Sequence, residues 1–197
     1  MRMPTARAVF LDKDGTLIDN VPYNAAPDRI RLADGAGDAL RSLRRAGFRL
    51  FVVSNQSGIA RGLIAEEAMV TMQAHIALLL QRDGVALDGF FYCPHWPQGQ
   101  VARFSVHCDC RKPAPGMLLR AAREHAIALT DSWMVGDILD DVEAGRRAGC
   151  RTVLIDNGNE TDWTEGPLRR PHWQVRDLRQ AATLITQRVM TPRTMTP

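Results

Sequence analysis

Val9-Phe10-Leu11-Asp12-Lys13-Asp14-Gly15-Thr16 is the stretch that decides the fold of this 197-residue chain. Its apolar start is too short for a helix and is bounded like a buried strand. Because open α/β sheets bind ligands at the carboxyl ends of their strands, we expect Asp12 and Asp14 at a binding edge. Two carboxylates this close repel each other unless a cation neutralises them. The stretch therefore predicts either a Mg²⁺ site with chemically active acids or an Asp-Gly turn with solvated ones.

Four further apolar runs predict the rest of a sheet. They cover residues 49–54, 87–92, 131–137 and 151–155, which gives about five strands. Helical patterns separate these runs and cover residues 35–46, 65–82, 115–125 and 139–148, with a last short helix over 175–187. Strands that alternate with helices predict an α/β, Rossmann-like fold with a mainly parallel central sheet and helices on its faces.

Polar residues follow these strands at the edge that Asp12 and Asp14 share. The hydroxyl of Ser54 and the backbone N–H groups after it can hold phosphate oxygens, although a serine can also simply end a strand. Asp137 adds a third carboxylate, a number typical of a six-coordinate Mg²⁺ that keeps some water. An acid at a helix start also interacts with the helix dipole, which explains Asp140 better than Asp137 because Asp137 precedes the helix.

Lysine is rare in this chain, since only Lys13 and Lys112 occur among 25 basic side chains. Lys112 and Arg111 stand just before the helix predicted over residues 115–125. An ammonium group there can hold a phosphate and reduce the repulsion between neighbouring carboxylates. For Lys13 we keep the simpler interpretation, a residue present by chance.

Two short motifs, Cys93-Pro94-His95 and Cys108-Asp109-Cys110, frame a loop with little periodicity. Their three thiols and one imidazole form a closed ligand set suited to tetrahedral Zn²⁺. The loop cannot bury a core of its own, so a structural zinc would fix it and orient Arg111 and Lys112 toward the sheet edge. The alternative is a set of reduced, buried cysteines. The fourth cysteine, Cys150, is predicted to be a small buried residue.

Composition and charge limit the class of protein. The hydrophobic content of 45% and charged content of 24% are ordinary for a globular protein. The length suggests one domain, which we place at residues 1–189, followed by a disordered tail at 190–197. A net charge of +3 without a basic patch does not indicate nucleic-acid binding. The absence of a long apolar run and of a signal-peptide pattern predicts a cytoplasmic protein without membrane association, and a monomer is the default.

Four motifs together resemble those of the haloacid dehalogenase (HAD) superfamily of phosphatases. They are Asp12-Lys13-Asp14-Gly15-Thr16, Ser54, Lys112-Pro113 and Gly136-Asp137-Ile138-Leu139-Asp140-Asp141. The resemblance implies Mg²⁺-dependent hydrolysis of a phosphomonoester through an aspartyl-phosphate intermediate. Phosphoryl transfer depends mainly on positioning and charge neutralisation, which agrees with the residue types present.

The resemblance also implies a role for each motif residue. Asp12 is the nucleophile, and Asp14 is the acid that protonates the leaving oxygen and then the base that activates water. Mg²⁺ is held by Asp12, by the backbone carbonyl of Asp14 and by Asp137. Ser54 and Lys112 bind the transferred phosphoryl group.

Longer stretches narrow the resemblance to phosphatases of D-glycero-D-manno-heptose 1,7-bisphosphate. They are Ser54-Asn55-Gln56-Ser57-Gly58-Ile59-Ala60-Arg61-Gly62, Cys93-Pro94-His95, Cys108-Asp109-Cys110-Arg111-Lys112-Pro113 and Pro115-Gly116-Met117-Leu118-Leu119. This similarity covers residues 8–156 and implies removal of the 7-phosphate in the synthesis of a surface polysaccharide precursor. It also implies Asn55, Arg61 and Arg111 as substrate contacts.

Two alternatives stay open at this point. Histidinol-phosphate phosphatases are similar in fold and zinc loop, although their second motif lacks the Ser-Gly-Ile-Ala-Arg-Gly continuation found at residues 57–62. A non-catalytic binding module built around the zinc loop would lack Asp12 or Asp14, and both are present.

Two residues depart from the pattern of the heptose phosphatases. Those enzymes tend to have arginine where Lys13 stands, and we expect this side chain to point away from the site. They tend to have lysine where this chain has Ile138. No large insertion separates the motifs, so we expect no cap domain and a substrate selected by short loops such as residues 96–104.

Overall fold

A computed structural model describes residues 6–190, without the side chains of residues 189 and 190. The strands are β1 Ala8–Leu11, β2 Arg49–Asn55, β3 Gly89–Cys93, β4 Trp133–Gly136, β5 Arg151–Ile155 and β6 Trp173–Val175. The helices are α1 Ala36–Arg45, α2 Ser57–Ala60, α3 Ala68–Arg82, α4 Gly116–His125, α5 Leu139–Ala148 and α6 Leu178–Met190. Strands and helices alternate along the chain, as the sequence predicts for an α/β fold.

All six strands are parallel and form one sheet in the order β3-β2-β1-β4-β5-β6. The chain builds outward from β1 to β3, then returns to place β4 on the other side of β1. Ligands bind at such a reversal, outside the carboxyl ends of the strands. The topology therefore directs attention to the loops that follow β1 and β4.

The sheet is covered on both faces, which explains why its central strands are apolar throughout. All four residues of β1 and of β4 are buried. One face packs a large cluster around Leu40, Met72 and Ile185, and the other packs a smaller one around Met117 and Ala144. With β1 fixed from both sides, the residue after it has a fixed position at the sheet edge.

The structure differs from the prediction in the unpredicted short helix α2, in the start of α3 at Ala68 rather than at residue 65, and in the sheet and last helix. The sheet has six strands rather than about five, because Trp173–Val175 adds a short strand beside β5. This strand displaces the start of the last helix from residue 175 to Leu178. The helix includes Met190, which we placed in the tail, and the rest of the predicted tail, residues 191–197, lies outside the described residues.

Two connections on the side where the motifs lie, residues 12–35 and 94–115, contain little regular structure. Only a 3₁₀ turn, Pro27–Arg29, interrupts the segment between β1 and α1. The region between β3 and α4 holds only a 3₁₀ turn, Ala102–Phe104. As predicted, no separate cap domain occurs between residues 6 and 190. Within that part of the chain, no helix combines the length and apolar character needed to cross a membrane.

Candidate active site

Three buried carboxylates meet where β1 and β4 end. Asp12 follows β1, Asp137 follows β4, and Asp141 lies in the first turn of α5. One oxygen from each lies within 4.8 Å of the others. Burial and mutual repulsion raise the pKa of Asp137 and of Asp141 well above the ordinary aspartate value, with Asp12 among the contributing charges.

Lys112 supplies the positive charge inside this cluster. It is 2% exposed, contacts Asp12, and places Nζ 2.6 Å from Oδ1 of Asp141. The same ammonium donates to the backbone oxygen of Val53 at 3.0 Å. Burial alone would lower the pKa of Lys112, but the charges of Asp12 and Asp141 hold it above the usual lysine value. Lys112 is therefore protonated, and if a bound cation kept all three acids ionised, the cluster would carry two net negative charges.

The carboxylate cluster fits a divalent magnesium ion. Its ligand atoms are hard carboxylate oxygens, which Mg²⁺ prefers, and the residual charge matches that of the ion. A bound cation would relieve the repulsion that raises the two pKa values. Asp12 and Asp137 were predicted as ligands, and both lie in the cluster. The side chain of Asp14 lies outside the cluster, and a contact of its backbone carbonyl with Mg²⁺ stays a prediction.

The Asp14 side chain points to a different set of neighbours. Its Oδ1 lies 2.8 Å from Nζ of Lys13, and Gln56 Nε2 donates to its Oδ2 at 3.3 Å. Burial raises the pKa of Asp14, against the lowering effect of Lys13, with Asp12 adding to the rise. A carboxyl group with a raised pKa is better suited than an ordinary aspartate to act as a general acid and base.

The expectation that Lys13 points away from the site is wrong. Lys13 is 1% exposed, and its ammonium lies between Asp14 and the sulfur of Met72, 3.4 Å away. Because β1 ends at Leu11, the alternation of side chains in a strand no longer applies at residue 13. A buried ammonium needs a carboxylate partner, and Lys13 pairs with Asp14 rather than with Asp12, its other neighbour along the chain.

The loop after β2 reaches the same edge of the sheet. Ser54 is buried, and its Oγ accepts a hydrogen bond from Gln56 Nε2 at 2.8 Å. Asn55 binds the backbone of Lys112 from both sides: its Nδ2 donates to the Lys112 carbonyl and its Oδ1 accepts from the Lys112 N–H, each at 3.0 Å. Asn55 thereby fixes the segment that carries the central lysine.

The four predicted zinc ligands lie together. Atoms of Cys93, His95, Cys108 and Cys110 are all within 4.8 Å of one another. The Cys110 sulfur is 3.1 Å from that of Cys93 and 3.3 Å from the Nδ1 of His95. Hydrogen bonding from Cys93 lowers the pKa of Cys110, which favours the thiolate that metals bind. The set fits a closed tetrahedral site.

Two arginine side chains pack on one tryptophan beside the zinc cluster. The guanidinium carbon of Arg61 lies 4.7 Å from the ring centroid of Trp96, and that of Arg111 lies 4.5 Å from it. Nε of Arg61 and Nη1 of Arg111 are buried and have no hydrogen-bond partner. Arg111 and Trp96 line a cavity of about 390 Å³ that also reaches Lys112. The side chain of Arg111 and the central Lys112 thus line one cavity.

Comparison with known proteins places this geometry in a family. A family model described as HAD-hydrolase-like matches residues 109–181. D-glycero-β-D-manno-heptose-1,7-bisphosphate 7-phosphatase from Yersinia pestis is 45% identical over 77% of this chain and 81% of its own length. The protein of the same name from Escherichia coli K12 is 44% identical over 79% of this chain and 86% of its own length. The chain belongs to the HAD phosphatases.

Solved structures of HAD phosphatases agree with this assignment. A HAD-like phosphatase from Mesorhizobium loti superposes with a TM-score of 0.82 at 32% identity, covering 94% of this chain and 88% of the other. The D,D-heptose 1,7-bisphosphate phosphatase from B. bronchiseptica, complexed with magnesium and phosphate, superposes with a TM-score of 0.80 at 30% identity. That superposition covers 92% of this chain and 99% of the other.

Sequence reasoning missed three residues that shape the site of this HAD phosphatase. Asp141 pairs with Lys112, and its spacing of four residues from Asp137 is the signal that could have revealed it. Gln56 links Ser54 to Asp14, and it stands next to the predicted Asn55. The ring of Trp96 packs against both Arg61 and Arg111, and no local pattern in the sequence indicates these contacts.

Proposed function

We propose that this chain removes the 7-phosphate from D-glycero-D-manno-heptose 1,7-bisphosphate. The names of its relatives support this substrate, and those from Yersinia pestis and Escherichia coli specify the β anomer. The product would serve as a precursor of a surface polysaccharide. The buried edge at Asp12, Asp137 and Lys112 supports the phosphoryl-transfer chemistry that this reaction needs.

In the first step an oxygen of Asp12 attacks phosphorus and forms an aspartyl-phosphate. The bond between phosphorus and the sugar oxygen breaks, and Asp14 gives that oxygen its proton. In the second step Asp14 takes a proton from water as the water oxygen attacks phosphorus, which releases inorganic phosphate and restores Asp12. Two easier displacements replace one difficult hydrolysis.

The other site residues act on charge and position. Ser54 and Lys112 hold the oxygens of the transferred phosphoryl group, and Asn55 keeps Lys112 in place. Mg²⁺, when bound by Asp12, Asp137 and the Asp14 carbonyl, would neutralise charge on that group. Asn55 also lines a cavity of about 100 Å³ next to Asp14. We therefore still propose Asn55 as a substrate contact.

The pair of arginines on Trp96 is the observation that favours a bisphosphate. Arg61 and Arg111 each keep a buried N–H without a partner, and buried donors favour a ligand that can accept from them. A second phosphate on the substrate supplies the charge and the oxygens that two guanidinium groups bind best. Histidinol phosphate, the main alternative, carries an ammonium group instead of a second phosphate, and two nearby arginines disfavour it.

Arg61→Gln tests this assignment. We expect kcat/KM for heptose 1,7-bisphosphate to fall about 10- to 100-fold, the effect of losing one charged hydrogen bond, with little change for heptose 7-phosphate. Arg103→Gln is the matched control, because Arg103 is 64% exposed and pairs with Glu66. An equal loss on both substrates, or no loss on either, would argue against a second phosphate at this position.

Zinc, oligomeric state and location complete the proposal. Cys93, His95, Cys108 and Cys110 hold a structural Zn²⁺, which fixes the loop that carries Trp96 and leads into Arg111. The chain acts on a small sugar phosphate as a monomer in the cytoplasm. All four cysteines are free thiols, as a reducing compartment favours.

A further inference from the structure

The loop after β5 reaches back over the carboxylate cluster. Nδ2 of Asn157 donates to the Gly15 carbonyl at 2.7 Å, and Nδ2 of Asn159 donates to Oδ2 of Asp137 at 2.7 Å. Oε2 of Glu160 accepts from the N–H of Leu139 at 2.5 Å. Side chains of one short loop thus bind the turn after β1, an acid of the cluster and the start of α5.

Asn159 and Thr16 together occupy both oxygens of Asp137. The Thr16 hydroxyl donates to Oδ1 at 3.2 Å, while Asn159 donates to Oδ2. Thr16 and Asp137 are 1% and 3% exposed, so water has little access to replace either donor. A carboxylate held from both sides keeps one orientation, and such outer hydrogen bonds tune how a carboxylate ligand binds its metal.

The loop also holds Asn159 itself. Oδ1 of Asn157 accepts from the backbone N–H of Asn159 at 3.3 Å, while the amide of Asn157 is bound to Gly15. Gly15, with φ of +80°, lets the turn come close: a Cβ there would lie 2.1 Å from Oδ2 of Asp137 and 2.3 Å from Nδ2 of Asn159. The hydrogen bond between Asn159 and Asp137 is therefore packed against backbone.

The chemistry of the donor matters for a divalent ion. An amide orients the carboxylate without cancelling its charge, whereas a second ammonium beside Lys112 would reduce the attraction for the ion. Asn159 thus orients Asp137 without adding positive charge to the cluster.

We propose that Asn159 is a positioning residue that holds Asp137 in the orientation that binds Mg²⁺. This inference rests on the proposed role of Asp137 as a metal ligand. It assigns to the loop after β5 a part in metal binding, in addition to the four motifs.

Calorimetric titration of Mg²⁺ alone into the zinc-loaded, Mg²⁺-free enzyme tests the proposal. For Asn159→Ala we expect the Kd for Mg²⁺ to rise about tenfold, in the range found for partners of metal ligands, and kcat to recover at saturating Mg²⁺. Thr164→Ala is the matched control in the same loop, since the Thr164 hydroxyl contacts only Asp162 among the described residues, and it should keep the wild-type Kd.

Two further variants separate the possible outcomes. Asn159→Ser keeps a shorter donor and should recover part of the affinity, which a general loosening of the loop would not produce. Asp137→Asn should abolish Mg²⁺ binding. If it does and Asn159→Ala still binds Mg²⁺ like the wild type, this inference is overturned alone. If neither change affects the Kd, the metal role of Asp137 fails as well.

Discussion

Asp12 and Lys112 show how single residues set up this site. Removing two ions from water is costly, and the cost is offset only where each finds a partner of opposite charge. Lys112 contacts Asp12 and Asp141, and its backbone is fixed by Asn55. Asp12 is therefore held at the end of β1 beside a buried ammonium group, a position suited to its proposed role as nucleophile.

Asp12→Asn should abolish turnover without harming the fold. An amide cannot attack phosphorus, so we expect kcat to fall by at least about 10³-fold. Lys112 keeps Asp141 as a partner, so the thermal unfolding midpoint should stay close to that of the wild type. Phosphate release and thermal unfolding of the same sample measure both effects. Turnover within tenfold of the wild type would contradict the aspartyl-phosphate mechanism.

Residues next to strand ends could be predicted, and residues brought in from elsewhere could not. Asp12, Ser54 and Asp137 lie at the ends of apolar runs. Because these runs alternate with helical patterns, the sequence alone predicts parallel strands whose carboxyl ends share one edge of the sheet. The contacts of Lys13 and Asn159 depend on tertiary packing, since β1 stops before residue 13 and Asn159 meets Asp137 only because the loop after β5 folds back over the end of β4. No local pattern carries that information.

The bounds of helices and strands were predicted best where the pattern of apolar residues and a helix-capping residue indicate the same end. Helix α5 and strand β5 have the predicted bounds, and Gly149 ends α5 with φ of +84°. Strand β6 was missed because it has three residues and follows a polar segment. A three-residue strand is too short to show a recognisable alternation of apolar and polar side chains. It is identified in the structure by its hydrogen bonding to β5.

Removal of zinc should loosen one element and weaken catalysis. We expect faster hydrogen exchange over residues 96–110 and a fall of about tenfold in kcat/KM, because Arg111 directly follows the proposed ligand Cys110. Mass spectrometry of exchange before and after chelation measures the first effect. Cys150→Ala, a buried cysteine outside the cluster, should keep the zinc content unchanged. Identical exchange with and without metal would rule out the structural role.

His172 should make the attachment of β6 sensitive to acid. Its Nδ1 accepts from the N–H of Thr152 at 3.0 Å, and Arg146 lies 2.9 Å from its Nε2. Burial, together with the charges of Arg146 and Arg151, lowers the pKa of His172 below the ordinary 6.5. As pH falls, His172 therefore binds its proton at a higher pH in the unfolded chain than in the folded one. The free energy of unfolding should decrease below pH 6.5 for this reason.

His172→Gln removes this titrating group. Denaturant unfolding between pH 5 and 7 should show a weaker pH dependence in this variant than in the wild type. The same slope in both proteins would show that other groups control acid stability.

The candidate active site lies where the order of strands in the sheet reverses, between β1 and β4. Sheet order puts β1 between β2 and β4, so loops from three parallel strands converge around Asp12. The loop between β3 and α4 and the loop after β5 both reach this edge, and no cap domain lies among the described residues. In the proposed function, selection among phosphomonoesters therefore depends on Arg61, Trp96 and Arg111 rather than on domain closure.

The most direct test of the account is phosphate release, with Mg²⁺, from a small panel of substrates. The panel holds both anomers of D-glycero-D-manno-heptose 1,7-bisphosphate, histidinol phosphate and fructose 1,6-bisphosphate. We expect kcat/KM for one heptose anomer to exceed that for histidinol phosphate roughly a hundredfold, about 2.7 kcal/mol of transition-state discrimination. Equal rates across the panel, or the highest rate on histidinol phosphate, would contradict the assigned substrate while leaving the phosphoryl-transfer chemistry intact.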